Sequence, residues 1–219
     1  MPRSKKTRTR STDRAASRQL RRLQQARMGV AAEAARIIAT EGQPNYHSAK
    51  KKAAERIGVS DRLALPSNIE VKEALFRYLD LYGGEAHDEN LLALRRTAVQ
   101  AMRLLEEFNP RLVGSVLDGT AGPHTRVALH LFAESSETVI LFFRDRGIPF
   151  SQEQRQIRWF NGEHRPIELI VTELDGRTLE LAVFEPVHLR QAPPSPIDGK
   201  PQRRAALPEV ELVLAEQDA

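Results

Sequence analysis

The chain changes its apolar period once, and the change falls at Asn109-Pro110. Before that point apolar residues recur at spacings of three and four. After it they come in short, strand-length runs. A helix presents one face every 3.6 residues and a strand every second residue, so the two patterns are not interchangeable. The switch predicts an α+β fold: N-terminal helices followed by a mixed β-sheet.

The upstream part reads as four helices. Alanine pairs at 15–16, 31–32 and 34–35 favour a long helix from about Ser11 to Thr40, closed by Gly42 and Pro44. Tyr46 to Ile57 is a second helix, stopped by Gly58. Ser67-Asn68-Ile69-Glu70 has the capping-box pattern, a hydroxyl for an orphan N–H and a carboxylate that reaches back. Val71, Ala74, Leu75, Tyr78, Leu79 and Tyr82 follow as one stripe, and Gly83-Gly84 ends it. Glu89 to Glu107 is the fourth, with Leu91, Leu94, Ala98, Met102 and Leu105 inward.

Downstream, Arg111–Val116 and Val127–Phe132 read as strands around a loop with Gly119, Gly122 and Pro123. Glu137 to Arg146 is a helix, capped by Ser135 or Ser136. Ile157–Phe160, Pro166–Leu174 and Arg177–Phe184 are three further strands. Asp175-Gly176 is a two-residue hairpin turn, whose residues tolerate positive φ. That turn pairs Leu174 with Arg177, sets Val171 opposite Glu180 and Glu168 opposite Val183, and so puts the two glutamates on opposite faces. The organisation that follows is a basic, largely disordered tail or helix start (1–27), a helical region (28–108), an α+β domain (109–189), and a Pro-rich basic loop with a helix from Pro208 to Glu216 (190–219).

Charge is unevenly spread. Residues 1–27 hold ten Lys/Arg against one acid, Asp13, a net of +9; the whole chain is at +4, so residues 28–219 are at −5. A basic arm of this kind fits non-specific contact with RNA or DNA through counterion release. It contains no aromatic residue for base stacking. With no cysteine, disulfides, thiolate metal sites and cysteine nucleophiles are excluded. No apolar run approaches the roughly 20 residues that cross a bilayer, and the start lacks an apolar secretion signal. The expectation is a cytoplasmic protein with no membrane partner. Phosphate-binding P-loops, dinucleotide fingerprints and HExxH motifs are absent, and the six histidines are scattered, so no metal site is expected.

One motif carries chemistry. In Arg111-Leu112-Val113-Gly114-Ser115-Val116-Leu117-Asp118-Gly119 a short apolar run ends in Gly-Ser, with a second glycine five residues after the first. A strand ending this way exposes backbone N–H groups, lets a phosphate approach closely and adds a hydroxyl donor. The segment 109–184 resembles the nucleotidyltransferases of the polymerase-β superfamily. In that family a Gly-Ser turn is followed by a strand bearing an Asp-x-Asp pair. At the family's common spacing Arg126 and Ala128 stand where those aspartates would be. Glu180, in Leu179-Glu180-Leu181, is similar to the family's third carboxylate.

The resemblance implies a nucleotidyltransferase-like domain with Gly114, Ser115, Gly119 and Arg126 as nucleotide- or phosphate-binding residues and Glu180 as the one catalytic candidate. Two metal ions held by carboxylates align and neutralise the reaction in such enzymes. An arginine in place of an aspartate changes the local charge by two units, each worth about 4 kcal/mol against a unit charge at close range. The expected protein is therefore a degenerate member, a pseudoenzyme. Two alternatives stay open: an active transferase with displaced carboxylates, for which Mg²⁺ would be the cofactor, and a non-enzymatic protein that binds nucleic acid through residues 1–27.

Overall fold

The computed structural model describes residues 6–41 and 45–217. The chain is α+β, with N-terminal helices followed by a five-stranded mixed sheet. It divides into two compact units, one up to Tyr78 and one from Leu79 onward. Among the described residues no helix is long and apolar enough to cross a membrane.

The first unit is built from α1 (Lys6–Glu41), α2 (Tyr46–Ile57) and most of α3 (Asn68–Tyr82). Its interior is made of small side chains: Ala31, Ala34 and Ala35 of α1, Ala49 and Ala53 of α2, and Ala74 of α3, with Val30, Ile37, Val71 and Leu75. Asn45 caps α2, its Oδ1 accepting from the N–H groups of His47 and Ser48. Left-handed Gly58 (φ 71°) closes that helix. The capping box at Ser67 forms as the sequence suggests. The Ser67 N–H donates to Glu70 Oε2 at 2.7 Å and the Glu70 N–H donates to Ser67 Oγ at 3.2 Å. Arg27 also donates to Glu70 Oε2, and chiefly through that bond the Glu70 carboxyl is pulled down to about 2.

The second unit holds α4 (Gly84–Leu104), β1 (Arg111–Val113), α5 (Ser115–Asp118), β2 (Val127–Phe132), α6 (Ser136–Asp145), β3 (Phe150–Arg158), β4 (His164–Leu174), β5 (Arg177–Phe184) and α7 (Leu207–Gln217). The strand order is β1-β2-β5-β4-β3, with β2 parallel to β5 and the other pairs antiparallel. Strand alternation sorts side chains onto two faces. Val127, Leu129, Leu131, Leu179, Leu181 and Ile170 point to one face and pack with Leu94, Met102, Val139, Phe143 and Val210 from α4, α6 and α7. The opposite face has a smaller apolar cluster, Phe132, Leu169, Ala182 and Phe184, flanked by Trp159 and Leu189. Ala205 pairs with Leu112 through two backbone hydrogen bonds of 2.9 Å, so the chain beyond the sheet returns to the outer edge of β1.

At that end of the second face Arg204 acts as a clamp. Its Nε donates to His130 Nδ1 (3.0 Å), its Nη1 donates to the His188 carbonyl (2.6 Å), and its guanidinium lies over the Phe132 and Phe184 rings. His130 sits between Leu129 and Leu131 in sequence and faces away from them, as alternation demands. Burial, reinforced by the Arg204 charge, pushes its imidazole down to about 3.

Several boundaries differ from the sequence reading. The first helix extends back to Lys6, through residues expected to be disordered, because no Gly or Pro lies between Pro2 and Gly29; Gly42 and Pro44 and residues 1–5 lie outside the described residues. The first strand ends at Val113, not Val116: Gly114, at φ 74° and ψ −153°, turns the chain into α5. β3 begins at Phe150 rather than Ile157. Its residues 151–156 are exposed on both faces, so no apolar alternation marks them.

Candidate functional site

All five strands meet in one row beside the Gly-Ser turn. Val113 pairs with Ala128, Ala128 with Glu180, Glu180 with Val171, and Val171 with Ser151. Paired residues share a face, so Ala128 and Glu180 stand side by side on the face without the helices. Gly114 follows Val113 at the end of that row. Arg126, two residues before Ala128, shares its side of the chain. The pairings Leu174–Arg177 and Val171–Glu180 are those expected from the Asp175-Gly176 turn, where both residues take positive φ (53° and 71°). Glu168 lies on the other parity of β4 and accepts from Gln154 at 2.9 Å.

Glu180 is the most enclosed charge in the row, its side chain 10% exposed. Arg155 of β3 grips it in a bidentate pair, with Nη1 to Oε1 at 2.6 Å and Nη2 to Oε2 at 2.7 Å. Fork-to-fork geometry of this kind is the strong form of a carboxylate contact. Arg126 Nη1 lies 3.5 Å from Glu180 Oε2 and 3.1 Å from Glu153 Oε2. The bond to Glu153, more than the charge of Glu180, holds the Arg126 guanidinium above its ordinary value. Two arginines and two glutamates thus cancel on one patch.

The turn itself is held from α4. Arg95 Nε donates to the Val116 carbonyl at 3.2 Å and its Nη1 to Gln217 Oε1 at 2.6 Å. Burial lowers the Arg95 guanidinium below its usual range. His87 Nε2 lies 3.3 Å from the Gly119 carbonyl, and Asn90 Nδ2 donates to the Gly122 carbonyl at 3.2 Å. Gly122 and Thr125 close the loop on each other through Gly122 N–H to Thr125 Oγ1 at 2.8 Å. Gly114 has nothing within 4 Å of the place a Cβ would occupy, so its backbone is open to approach. Gly119 differs. It is the left-handed cap of α5 (φ 81°), its N–H donates to the Ser115 carbonyl, and a Cβ there would meet Arg95 and Leu91.

The structure therefore brings Gly114, Arg126 and Glu180 to one neighbourhood, with Ser115 opening α5 next to Gly114. Gly119 faces α4. His124 lies exposed in the loop. Among the described residues no three His, Cys, Asp or Glu side chains gather at metal-binding range. Sequence reasoning missed Arg155 and Glu153, because it did not read residues 150–156 as a strand. The signal available was the Asp175-Gly176 hairpin: a strand as long as β4 needs a partner on its other edge, and the stretch before it is the nearest supply. A hollow of about 370 Å³ lies elsewhere, between α4 and α7, lined by Arg96, Gln100, Arg103 and Glu211 among others. The Gly114 corner opens onto the sheet face instead.

Comparison of the chain with protein-family models, with curated proteins and with solved structures gave no match in any of the three.

Proposed function

We propose that residues 109–184 form a nucleotidyltransferase-like domain that has lost metal-dependent transfer and keeps a phosphate-binding corner at Gly114 and Ser115. What supports the reading is the register Val113–Ala128–Glu180. It sets the two positions that the resemblance assigns to aspartates, now Arg126 and Ala128, beside the third carboxylate and next to the Gly-Ser turn. A site for two divalent ions needs several carboxylates facing one point. Here two carboxylates, Glu180 and Glu153, stand on the patch, and Arg155 and Arg126 neutralise them.

On this reading Arg126 takes over the electrostatic work of a cation. A terminal phosphate settles on the backbone N–H groups at the start of α5, over the open Gly114, and Arg126 swings from Glu153 to meet it. Arg155 keeps Glu180 from repelling the ligand. No bond-making step follows, because no group in the patch is placed to ionise an attacking hydroxyl.

Calorimetric titration with inorganic triphosphate and with ATP, each with and without Mg²⁺, tests this. The expected result is binding that needs no metal, weakened about tenfold or more by Arg126→Ala, since a charge-assisted contact contributes about 1.5–3 kcal/mol. The R126D/A128D variant, which sets two new carboxylates beside Glu180, is the arm expected to gain a Mg²⁺- or Mn²⁺-dependent rise in melting temperature. Absence of triphosphate binding at millimolar concentration defeats the proposal. Binding by the unaltered chain that requires Mg²⁺ favours an active transferase in its place.

A further inference from the structure

Helix α1 carries a charge pattern that the phosphate corner leaves unused. Lys6, Arg10, Arg14, Arg18 and Arg22 recur at every fourth position, with Arg21 beside the last. Residues four apart on a helix are neighbours, and like charges at that spacing destabilise it. From Arg14 to Arg27 the sequence contains no Asp or Glu. The first turn of α1 holds no acid either, so bases stand at the positive end of the helix dipole. Local electrostatics therefore works against this helix along its first half, and Asp13 alone opposes that.

Packing offers no compensation. Residues 16–22 are exposed at every position, so that Arg18, Arg21 and Arg22 all face solvent, and full burial begins only at Val30. The exposed stretch 16–22 makes about two turns of a helix about 10–12 Å across, polar and basic on most of its surface. Polyanion binding would reverse the sign of the unfavourable electrostatics.

We propose that the first half of α1 docks along the major groove of duplex DNA, with Arg18, Arg21 and Arg22 holding backbone phosphates. The B-form major groove is about 12 Å wide and admits an α-helix. The A-form major groove of RNA is too deep and narrow. Single strands are held largely by aromatic stacking, and residues 1–27 have no aromatic side chain. Contacts from arginine to phosphate set position without reading sequence, so the docking is general. It stands independently of the phosphate corner.

The test is fluorescence anisotropy of a labelled duplex of about two helical turns with the full chain, titrated between about 50 and 200 mM salt. Neutralising about five phosphates gives a log–log salt slope near −4.5. R18Q/R21Q/R22Q is expected to flatten that slope by about three units and to weaken binding at low salt more than tenfold. R18K/R21K/R22K keeps the slope, which separates charge from any loss of helix. Melting temperature falls in neither variant, because these side chains contact no core and the glutamines only relieve like-charge repulsion. The proposal is overturned if the full chain fails to bind DNA at low salt, or if the glutamine variant keeps the wild-type slope. Equally tight binding of duplex RNA or of anionic phospholipid vesicles overturns it as well.

Discussion

The two faces of the sheet use the same strands for opposite purposes. On one face β2 and β5 present alternate hydrocarbon residues, Val127, Leu129, Leu131, Leu179 and Leu181, each 2% exposed or less. On the other, the intervening positions carry Ala128, His130, Glu180 and, just ahead of β2, Arg126. The covered face obtains its stability from burial, which is non-directional. The other face combines a smaller apolar cluster with pairing, which ties Glu180 to Arg155, Arg126 to Glu153 and His130 to Arg204. A single-residue step along a strand thus separates atoms that hold the fold from atoms available for recognition.

The contrast is sharpest in a core deletion. Leu129→Ala, at a position with no exposure, is expected to cost about 3 kcal/mol or more in urea-induced unfolding, from lost burial and the cavity left behind. A cost below about 1 kcal/mol would mean that the covered face is far looser than its burial implies.

Next in size is an acid effect that belongs to the other face. His130 is held near 3 in the fold and titrates near 6.5 in an unfolded chain. Between those values the unfolded chain binds a proton that the folded one refuses, so this contribution is complete above about pH 6.5 and is lost as pH falls toward 3. The slope is about 1.4 kcal/mol per pH unit, or roughly 2.7 kcal/mol between pH 6 and pH 4. Stability measured across that window should fall less steeply in His130→Asn, whose side-chain oxygen can still accept from Arg204. Parallel curves for the two proteins would remove His130 as the cause.

Smallest in stability, and largest in specificity for the corner, is Glu153→Gln. Its pair with Arg126 is 43% and 42% exposed, and such surface pairs contribute at most about 1 kcal/mol. Unfolding should move by less than that. Triphosphate affinity should rise several-fold, because Arg126 is released and a like charge near the ligand is gone. An unchanged affinity, with wild-type binding intact, would mean that Arg126 is not restrained by Glu153.

Elements with a periodic apolar signal were legible in the sequence. β5 and the hairpin turn before it fall where Arg177, Phe184 and Asp175-Gly176 suggest, and the Ser67–Glu70 box closes as its spacing requires. Their causes are local: alternation, turn chemistry and a cap within four residues. β3 was illegible over 150–156 because it is an edge strand wet on both sides, and only its pairing with β4 defines it. The bend at Gly114 escaped notice for a related reason. Val116 reads as the end of the strand, yet it and Leu117 are buried from a single turn of helix. For the site, Gly114, Arg126 and Glu180 are grouped by the resemblance alone, and the hairpin register serves only to set Glu168 and Glu180 on opposite faces. The partners of Glu180 were not legible, since Arg155 reaches it across the intervening strand β4.

The bridge between Ala205 and Leu112 has a consequence for synthesis. β1 lies at the rim of the sheet, and its outer hydrogen bonds are satisfied by residues that leave the ribosome some ninety positions later. A nascent chain can assemble the β2–β5 centre first, while the strand leading into Gly114 keeps one bare edge. The corner thus acquires its final rigidity only when the tail of the polypeptide folds back to finish the rim.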